Sequence, residues 1–474
     1  MSPIENEAQE ATESFHNLLL DSRHEEPRGT SQPSPSLPNE LYRIIVSHVA
    51  NFDYKSRQKT LIALSRLGEP LASLAEEHLY KDPGDLETIR QQQQFLSSLK
   101  TKPSRVNLVH SLRLLWIQEE ENDQLLINII SACPNVDFLL IQRGNDLRDY
   151  YVLSSDHVKS FGTMLKSCRG IKTLYYATML RWVPGDEFDT LIELGDELSE
   201  LICSDSLVQK SLKQLEMLVL AGQSDWVIQG VLPHLSSNLT TLRVTQDCSM
   251  GYHDTPFVDL SRQCPYLKVL NFRRTLVTSD DLEEACKAWG ETLEELDVSS
   301  IEDLRDWISP TIPCLKNLKI LRLGSGCFVR TESIKALALT TAPLKEIWLQ
   351  DIEPSTDEAL AATDETNEVI ASMIDAHSST LELLLLHNGD VGELVLQSCK
   401  KAKRLHTISF DLAHSFQEVE VDFLLDACVE LNDVPRWFED HSSRWDEWEA
   451  RMVAKEEFAE EWVSRHPAVH GLGS

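Results

Sequence analysis

The chain has 474 residues, more than one compact core needs, so several domains or one elongated repeat array must account for it. Apolar residues at 42% and charged residues at 25%, with 18 Gly and 19 Pro, exclude wholesale disorder. The formal net charge of −32 argues against nucleic acid and anionic membrane surfaces as partners, because both are held through clustered Lys and Arg.

Met1-Ser2-Pro3-Ile4-Glu5 lacks the basic and apolar regions of a secretory signal, and no apolar run approaches the roughly 18 residues of a membrane span. A cytoplasmic or nuclear location is expected. The ten cysteines show no CxxC pair and no Cys/His cluster at zinc spacing, so they read as buried thiols, with no metal or cofactor expected. Residues 1–35, acidic and rich in Ser and Pro, read as a flexible leader.

Apolar periodicity begins at Leu37 and marks a first ordered segment over 36–82, with three short helices. In the first, Pro38 suits a helix start and Glu40 the positive helix end, while Leu41, Ile44, Ile45, His48 and Val49 share one face. The second runs from about Ser56 to Leu67, where Gly68-Glu69-Pro70 stops it, and the third sets Leu71, Leu74, Ala75, His78 and Leu79 at helical spacing.

Over 83–412 the signal changes to a hexad: an aliphatic residue, two variable ones, an aliphatic, one variable, then an aliphatic or aromatic. Copies begin at Leu112, Val136, Ile171, Leu215, Leu239, Leu267, Leu293, Leu318, Leu344, Leu381 and Leu405. Starts from Leu215 to Leu344 differ by 24, 28, 26, 25 and 26 residues, within the range of leucine-rich repeats. The last two apolar positions are two apart, so they point to one side of a short strand that its neighbours must bury. Amphipathic stretches such as Ser279 to Trp289 supply return helices. The expected fold is therefore α/β, a leucine-rich-repeat solenoid with parallel short strands inside and helices outside. Gaps of 35 residues after Val136, 44 after Ile171 and 37 after Leu344 imply insertions or a degenerate repeat. Cys133, Cys168 and Cys264 fall three residues before a hexad, and Cys286, Cys314 and Cys399 slightly earlier, a recurrence that points to packing at helix ends.

Residues 413–474 hold 15 Asp and Glu against 5 Lys and Arg, with Trp437, Phe438, Trp445, Trp448, Met452, Phe458 and Trp462 among them. They read as an acidic C-terminal cap and tail, or as a partner-docking helix.

Leu37-Pro38-Asn39-Glu40-Leu41, the pair Ile44-Ile45, and the later Leu61-Ile62-Ala63-Leu64-Ser65-Arg66 and Leu79-Tyr80 resemble the F-box motif. With the repeats behind them, the chain resembles fungal F-box and leucine-rich-repeat proteins. The resemblance implies an F-box-like segment that binds a Skp-family adaptor, and through it a cullin, by Leu37, Pro38, Leu41, Ile44, Ile45, Val49 and Leu64. It also implies a solenoid that selects the protein to be ubiquitinated. The family's Val-Cys-Arg-x-Trp stretch is absent here, Tyr80 stands for its terminal Trp, and Asp247, Thr275, Ile301 and Gly326 stand where its repeats carry Asn. The alternative for these helices is a plain cap on the open end of the repeat array.

If the aliphatic positions point inward, the residues between them line the other face of the strands: Trp116, Arg243, Asn271, Arg273, Asp297, Arg322, Trp348, Gln350 and His387. Of these, Trp116, Arg243, Asn271, Arg273, Arg322 and Trp348 are the candidate substrate-binding residues. An Arg stripe suits an acidic or phosphorylated protein segment, unless the Args pair with Asp297, Glu295 or Glu346 on neighbouring strands. The sequence carries no phosphate-cradling Gly-rich loop, nucleophile elbow or His-Glu-x-x-His, so no catalysis is expected. Two functional readings stand: a substrate receptor of a cullin-type ubiquitin ligase, or a repeat scaffold unconnected with ubiquitination.

Overall fold

The computed structural model describes residues 38–50, 52, 54–117, 120–143, 154–178, 188–222, 225–245, 257–273, 279–298, 308–324, 329–350, 352–353, 359–412 and 430–431. The leader, Leu37 and nearly all of the Trp-rich C-terminal segment lie outside them. The chain divides into two compact units, whose described residues are 38–141 with 167–170, and 142–166 with everything from 171 onward. The division falls among the repeats and not at the end of the three-helix segment.

The first unit opens with α1 (Asn39–Ala50), α2 (Tyr54–Ser65) and α3 (Leu71–Lys81). Their core is Val46, Val49, Leu61 and Ala75, flanked by Leu64, Leu71, Leu74 and Leu79. Gly68, at φ 93°, takes the left-handed turn between α2 and α3 that a side chain would disfavour. Next come β1 (Asp85–Leu86), α4 (Ile89–Thr101), β2 (Ser111–Trp116), α5 (Glu120–Ala132) and β3 (Phe138–Arg143), the strands standing in that order. Thr88 and Gln91 form a reciprocal capping box at the start of α4. Charged anchors fasten the helical segment to the first repeat. Glu76 accepts from Lys102 and, at 2.5 Å, from Arg105, whose guanidinium lies 4.7 Å over the Tyr80 ring. Asp82 pairs with Arg57 at 3.0 Å and with Arg113 of β2 at 3.7 Å.

In the second unit the strands run β4 (Thr173–Thr178), β5 (Met217–Ala221), β6 (Thr241–Thr245), β7 (Val269–Arg273), β8 (Glu295–Asp297), β9 (Ile320–Leu323), β11 (Glu346–Leu349), β13 (Leu383–Val391), β14 (Thr407–Leu412) and β15 (Glu430–Leu431), paired in this order and all parallel. A separate pair, β10 (Val329–Arg330) with β12 (Ile352–Glu353), lies beside them. Helices return between strands: α6 (Ser155–Ser167), α7 (Phe188–Ser204), α8 (Ser206–Lys213), α9 (Asp225–Val231), α10 (Phe257–Gln263), α11 (Ser279–Ala288), α12 (Ile308–Thr311), α13 (Thr331–Leu339), α14 (Ala359–His377) and α15 (Glu393–Lys401). This is the α/β leucine-rich-repeat architecture that the hexads predict.

The hexad's fourth residues stack in register, Leu218, Leu242, Leu270, Leu296, Leu321, Ile347, Leu384 and Ile408, and every one is fully buried. Each such side chain contributes about 1.5 to 3 kcal/mol of burial, available only once the neighbouring repeat is in place. Main-chain bonds repeat with them: the carbonyl of Lys172 accepts from Glu216 and Met217, that of Glu216 from Thr240 and Thr241, and so on through Glu382. Asparagine holds the repeats together from a position immediately before the hexad, which the spacing of the apolar residues does not reveal. Asn135 donates to the carbonyl of Asn107 at 2.8 Å, Asn238 to Lys213 at 2.7 Å, and Asn317 to Glu291 at 2.7 Å.

Two long gaps are insertions: among the described residues that after Ile171 holds α7 and α8, and that after Leu344 holds β12 and the 19-residue α14. The first hexad, expected at Leu112, is framed three residues too late. Val109, Leu112 and Leu114 occupy its buried positions. Cys133, Cys168, Cys264, Cys286 and Cys399 are buried thiols and Cys314 is half-buried. Burial pushes the thiols of Cys133, Cys168 and Cys264 up to about 12. The C-terminal segment contributes β15 to the sheet.

Candidate functional site

Two surfaces carry the residues that the sequence singles out, one in each unit. The first is on α1. The apolar residues of this helix cover a broad face, and contact with α2 and α3 decides which part of it is used. Val46 and Val49 face Leu61 and Ala75 and are 1% and 6% exposed. The stripe next to them, at i, i+3, i+4 and i+7, is Leu41, Ile44, Ile45 and His48, with Leu41 43%, Ile44 63% and Ile45 40% exposed. Phe52, 41% exposed, continues it past the helix end, its ring edge-on to His48 at 5.5 Å. Pro38 is exposed at the helix start, and Leu67 after α2 is 69% exposed.

Of the residues assigned to adaptor binding, Pro38, Leu41, Ile44 and Ile45 therefore lie outward. Val49 is a correction, since it is 6% exposed in the three-helix core, and Leu64 is half-buried against that core. Leu37 lies outside the described residues. Phe52 escapes a reading by helical pattern because it comes after the helix. Its spacing of four from His48 is the signal that could have found it.

The second surface is the open face of the second unit's sheet, turned away from the buried hexad positions. Its central row, in register across adjacent strands, is Tyr175, Val219, Arg243, Asn271, Asp297, Arg322, Trp348 and Leu385. Glu295, Ile320, Glu346 and Leu383 form the row beside it. Arg322 reaches Glu295 at 2.9 Å, Glu346 at 2.8 Å and Asp297 at 3.8 Å, and its guanidinium lies 5.0 Å over the Trp348 ring. Arg243 meets Glu295 from the other side at 3.4 Å, and the Asn271 amide donates to Asp297 at 3.2 Å. Arg243 Nε, Asn271 Oδ1, Arg322 Nε and Trp348 Nε1 are covered and have no hydrogen-bond partner in the protein.

Four of the six candidate substrate residues are thus together: Arg243, Asn271, Arg322 and Trp348. Arg243 and Arg322 are not free: Glu295, Asp297 and Glu346 pair with them, as the alternative of pairing on neighbouring strands has it. Arg273 is on β7 by its backbone, and its side chain lies outside the described residues' side chains, as does that of His387. Trp116 is a further correction. It is 0% exposed on the core side of β2 and donates to Asp123 at 2.6 Å. The shifted frame of the first hexad explains the error, since Trp116 comes after Leu112 and Leu114 on the buried side.

Asp123 belongs to a polar cluster that closes the start of the repeats. Gln92, fully buried, donates to the carbonyls of Leu86 at 3.0 Å and Leu115 at 2.7 Å, and Asn122 donates to Gln92 at 2.9 Å. No described group of His, Cys, Asp and Glu could hold a metal ion, and no described helix is long and apolar enough to cross a membrane.

No protein-family model matches the chain, and no curated protein sequence does. Among solved structures it is similar to a chain of the Rad7 and Elc1 complex of yeast, at 11% identity and a TM-score of 0.44, over 84% of this chain and 92% of that one. It is also similar to the leucine-rich-repeat-containing protein LegL7 of Legionella pneumophila, at 12% identity and a TM-score of 0.29, over 72% of this chain and 95% of that one. At such identities function has to come from this chain's own side chains.

Proposed function

We propose that this protein is a non-enzymatic receptor of the cytoplasm or nucleus, which docks a Skp-family adaptor of a cullin-type ubiquitin ligase through α1 and holds a protein substrate on the open face of its repeats. One observation carries the docking half. Leu41, Ile44 and Ile45 form an apolar stripe left uncovered by the helices that bury Val46 and Val49. A helix that served as a plain cap would spend its apolar residues on the repeats. Contiguous exposed apolar groups on a soluble protein mark an interaction surface, and a helix presenting i, i+3, i+4 and i+7 anchors suits a groove. The resemblance at residues 37–45 names the kind of partner.

Co-purification with a Skp-type adaptor tests this reading, comparing the intact chain with Leu41→Asp/Ile44→Asp. A specific interface buries roughly 1,200 to 2,000 Å², and two charges at its apolar centre abolish binding. Both positions face water, so the circular dichroism spectrum stays that of the intact chain. An intact chain that captures no adaptor leaves the second reading, a repeat scaffold unconnected with ubiquitination, which the partly apolar open face supports by itself.

A further inference from the structure

The charged network on the open face is a costly way to build a sheet. Asp297 is fully buried, Glu295 nearly so and Arg322 half-buried, and four polar atoms beside them are covered without a partner. Such groups add little net stability where apolar side chains of the same size would serve, so their presence asks for another reason. Their arrangement supplies one. Arg322 sits where three carboxylates and an aromatic face converge, which is the chemistry of a guanidinium or ammonium site. Three carboxylates, Glu295, Asp297 and Glu346, stand against the two guanidiniums of Arg243 and Arg322. The remaining carboxylate capacity is at the rim: Glu346 keeps 28% of its side chain exposed and meets Arg322 through Oε2. Around it lie the half-buried Ile320, Trp348, Leu383 and Leu385. By its backbone Arg273 stands three strands from Glu346 and four residues further along by register, about 19 Å at the usual spacings, beyond a Debye length of roughly 8 Å.

We infer that this face takes a basic protein segment: the ammonium or guanidinium of a Lys or Arg meets Glu346, and its aliphatic stem lies on Ile320, Leu383 and Leu385 beside the Trp348 ring. The inference rests on the reading of the open face as the substrate surface and specifies its substrate class as cationic and not phosphorylated. Lys and Arg bury their stems on apolar surface while keeping the charge paired, and the chain's net charge of −32 draws such a segment in.

The test uses the full chain and three fluorescein-labelled nonapeptides, one of alternating Arg and Ser, one with Gln for each Arg, and one of alternating Glu and phosphoserine, titrated at physiological salt by anisotropy. The Arg peptide binds and the other two do not. Glu346→Gln weakens that binding at least tenfold, whereas Glu284→Gln on α11, 63% exposed and identical in charge change, alters it less than twofold. Arg322→Gln, with its melting temperature checked, tightens binding because it frees the carboxylates. Equal losses from Glu346→Gln and Glu284→Gln would reduce the effect to overall charge and overturn the inference. So would absence of binding by the Arg peptide, or phosphopeptide binding that Arg322→Gln abolishes. None of these outcomes touches adaptor docking, which α1 carries in the other unit and co-purification reads separately.

Discussion

The outer stripe of α1 and the open face of β6 to β11 are built on opposite principles. On α1 the exposed groups are apolar and uncompensated: Ile44 is 63% exposed and has nothing to do within its own unit. On the sheet the charged groups are almost wholly compensated by one another, Arg322 alone meeting three carboxylates. An apolar stripe left in water is complete only with a partner over it. A charged network whose carboxylates outnumber its guanidiniums by one is close to complete alone.

The sharpest way to break this comparison is to exchange the two sides of α1. Val46→Asp puts a carboxylate among Val49, Leu61 and Ala75, at a cost on the order of 4 kcal/mol, and denatures the three-helix segment. Ile44→Asp, two residues away, changes stability by about 0.5 kcal/mol or less. Urea denaturation followed by circular dichroism separates them. Similar stabilities for the two variants would mean that α1 is not seated by the Val46 side.

On the sheet the corresponding break is Glu295→Leu. Glu295 stands between Arg243 and Arg322, so its removal leaves two guanidiniums with less than their compensation, for a loss of roughly 2 to 3 kcal/mol. Replacing Arg243, Glu295, Asp297, Arg322 and Glu346 together by Met, Leu, Asn, Met and Leu restores most of it, because all the charges of the network then go as a set. Denaturation midpoints of the single and fivefold variants check this, and a fivefold variant as unstable as the single one would make the network structural.

The hexads made the strands legible because a period of 24 to 28 residues with two apolar residues two apart has few other physical solutions. The frame failed once, at Leu112-Arg113-Leu114-Leu115-Trp116-Ile117, where apolar residues fall on both sides of the strand and alternation no longer distinguishes them. The faces of α1 were opaque for a related reason: Leu41, Ile44, Ile45, Val46 and Val49 spread over more than half of the helix circumference, and only contact with Leu61 and Ala75 chooses among them. The open face was half legible. Register places Arg322 next to Asp297 and Trp348 once the repeat spacing is known. Its reach to Glu295 and Glu346 on the adjacent row depends on how a long side chain lies, which spacing does not encode. The Asn ties were within reach, since Asn135, Asn238 and Asn317 each directly precede a hexad.

The smallest expected effect concerns the anchor between the helical segment and the first repeat. Burial raises the pKa of Glu76, but the hydrogen bonds from Lys102 and Arg105 outweigh it and hold the carboxyl below its usual value. A carboxyl depressed in the folded state contributes stability that is present above its unfolded pKa, about 4.3, and is lost as pH falls through the lower folded value. Glu76→Gln therefore weakens protection of the α3 and α4 amides at pH 7, and the difference from the intact chain narrows as the medium is acidified below pH 4. Hydrogen exchange followed by mass spectrometry reads both segments directly. A difference that stays constant with pH would mean that Glu76 contributes through packing alone, and that the three-helix segment is fastened to the first repeat by Asp82 with Arg57 and Arg113 instead.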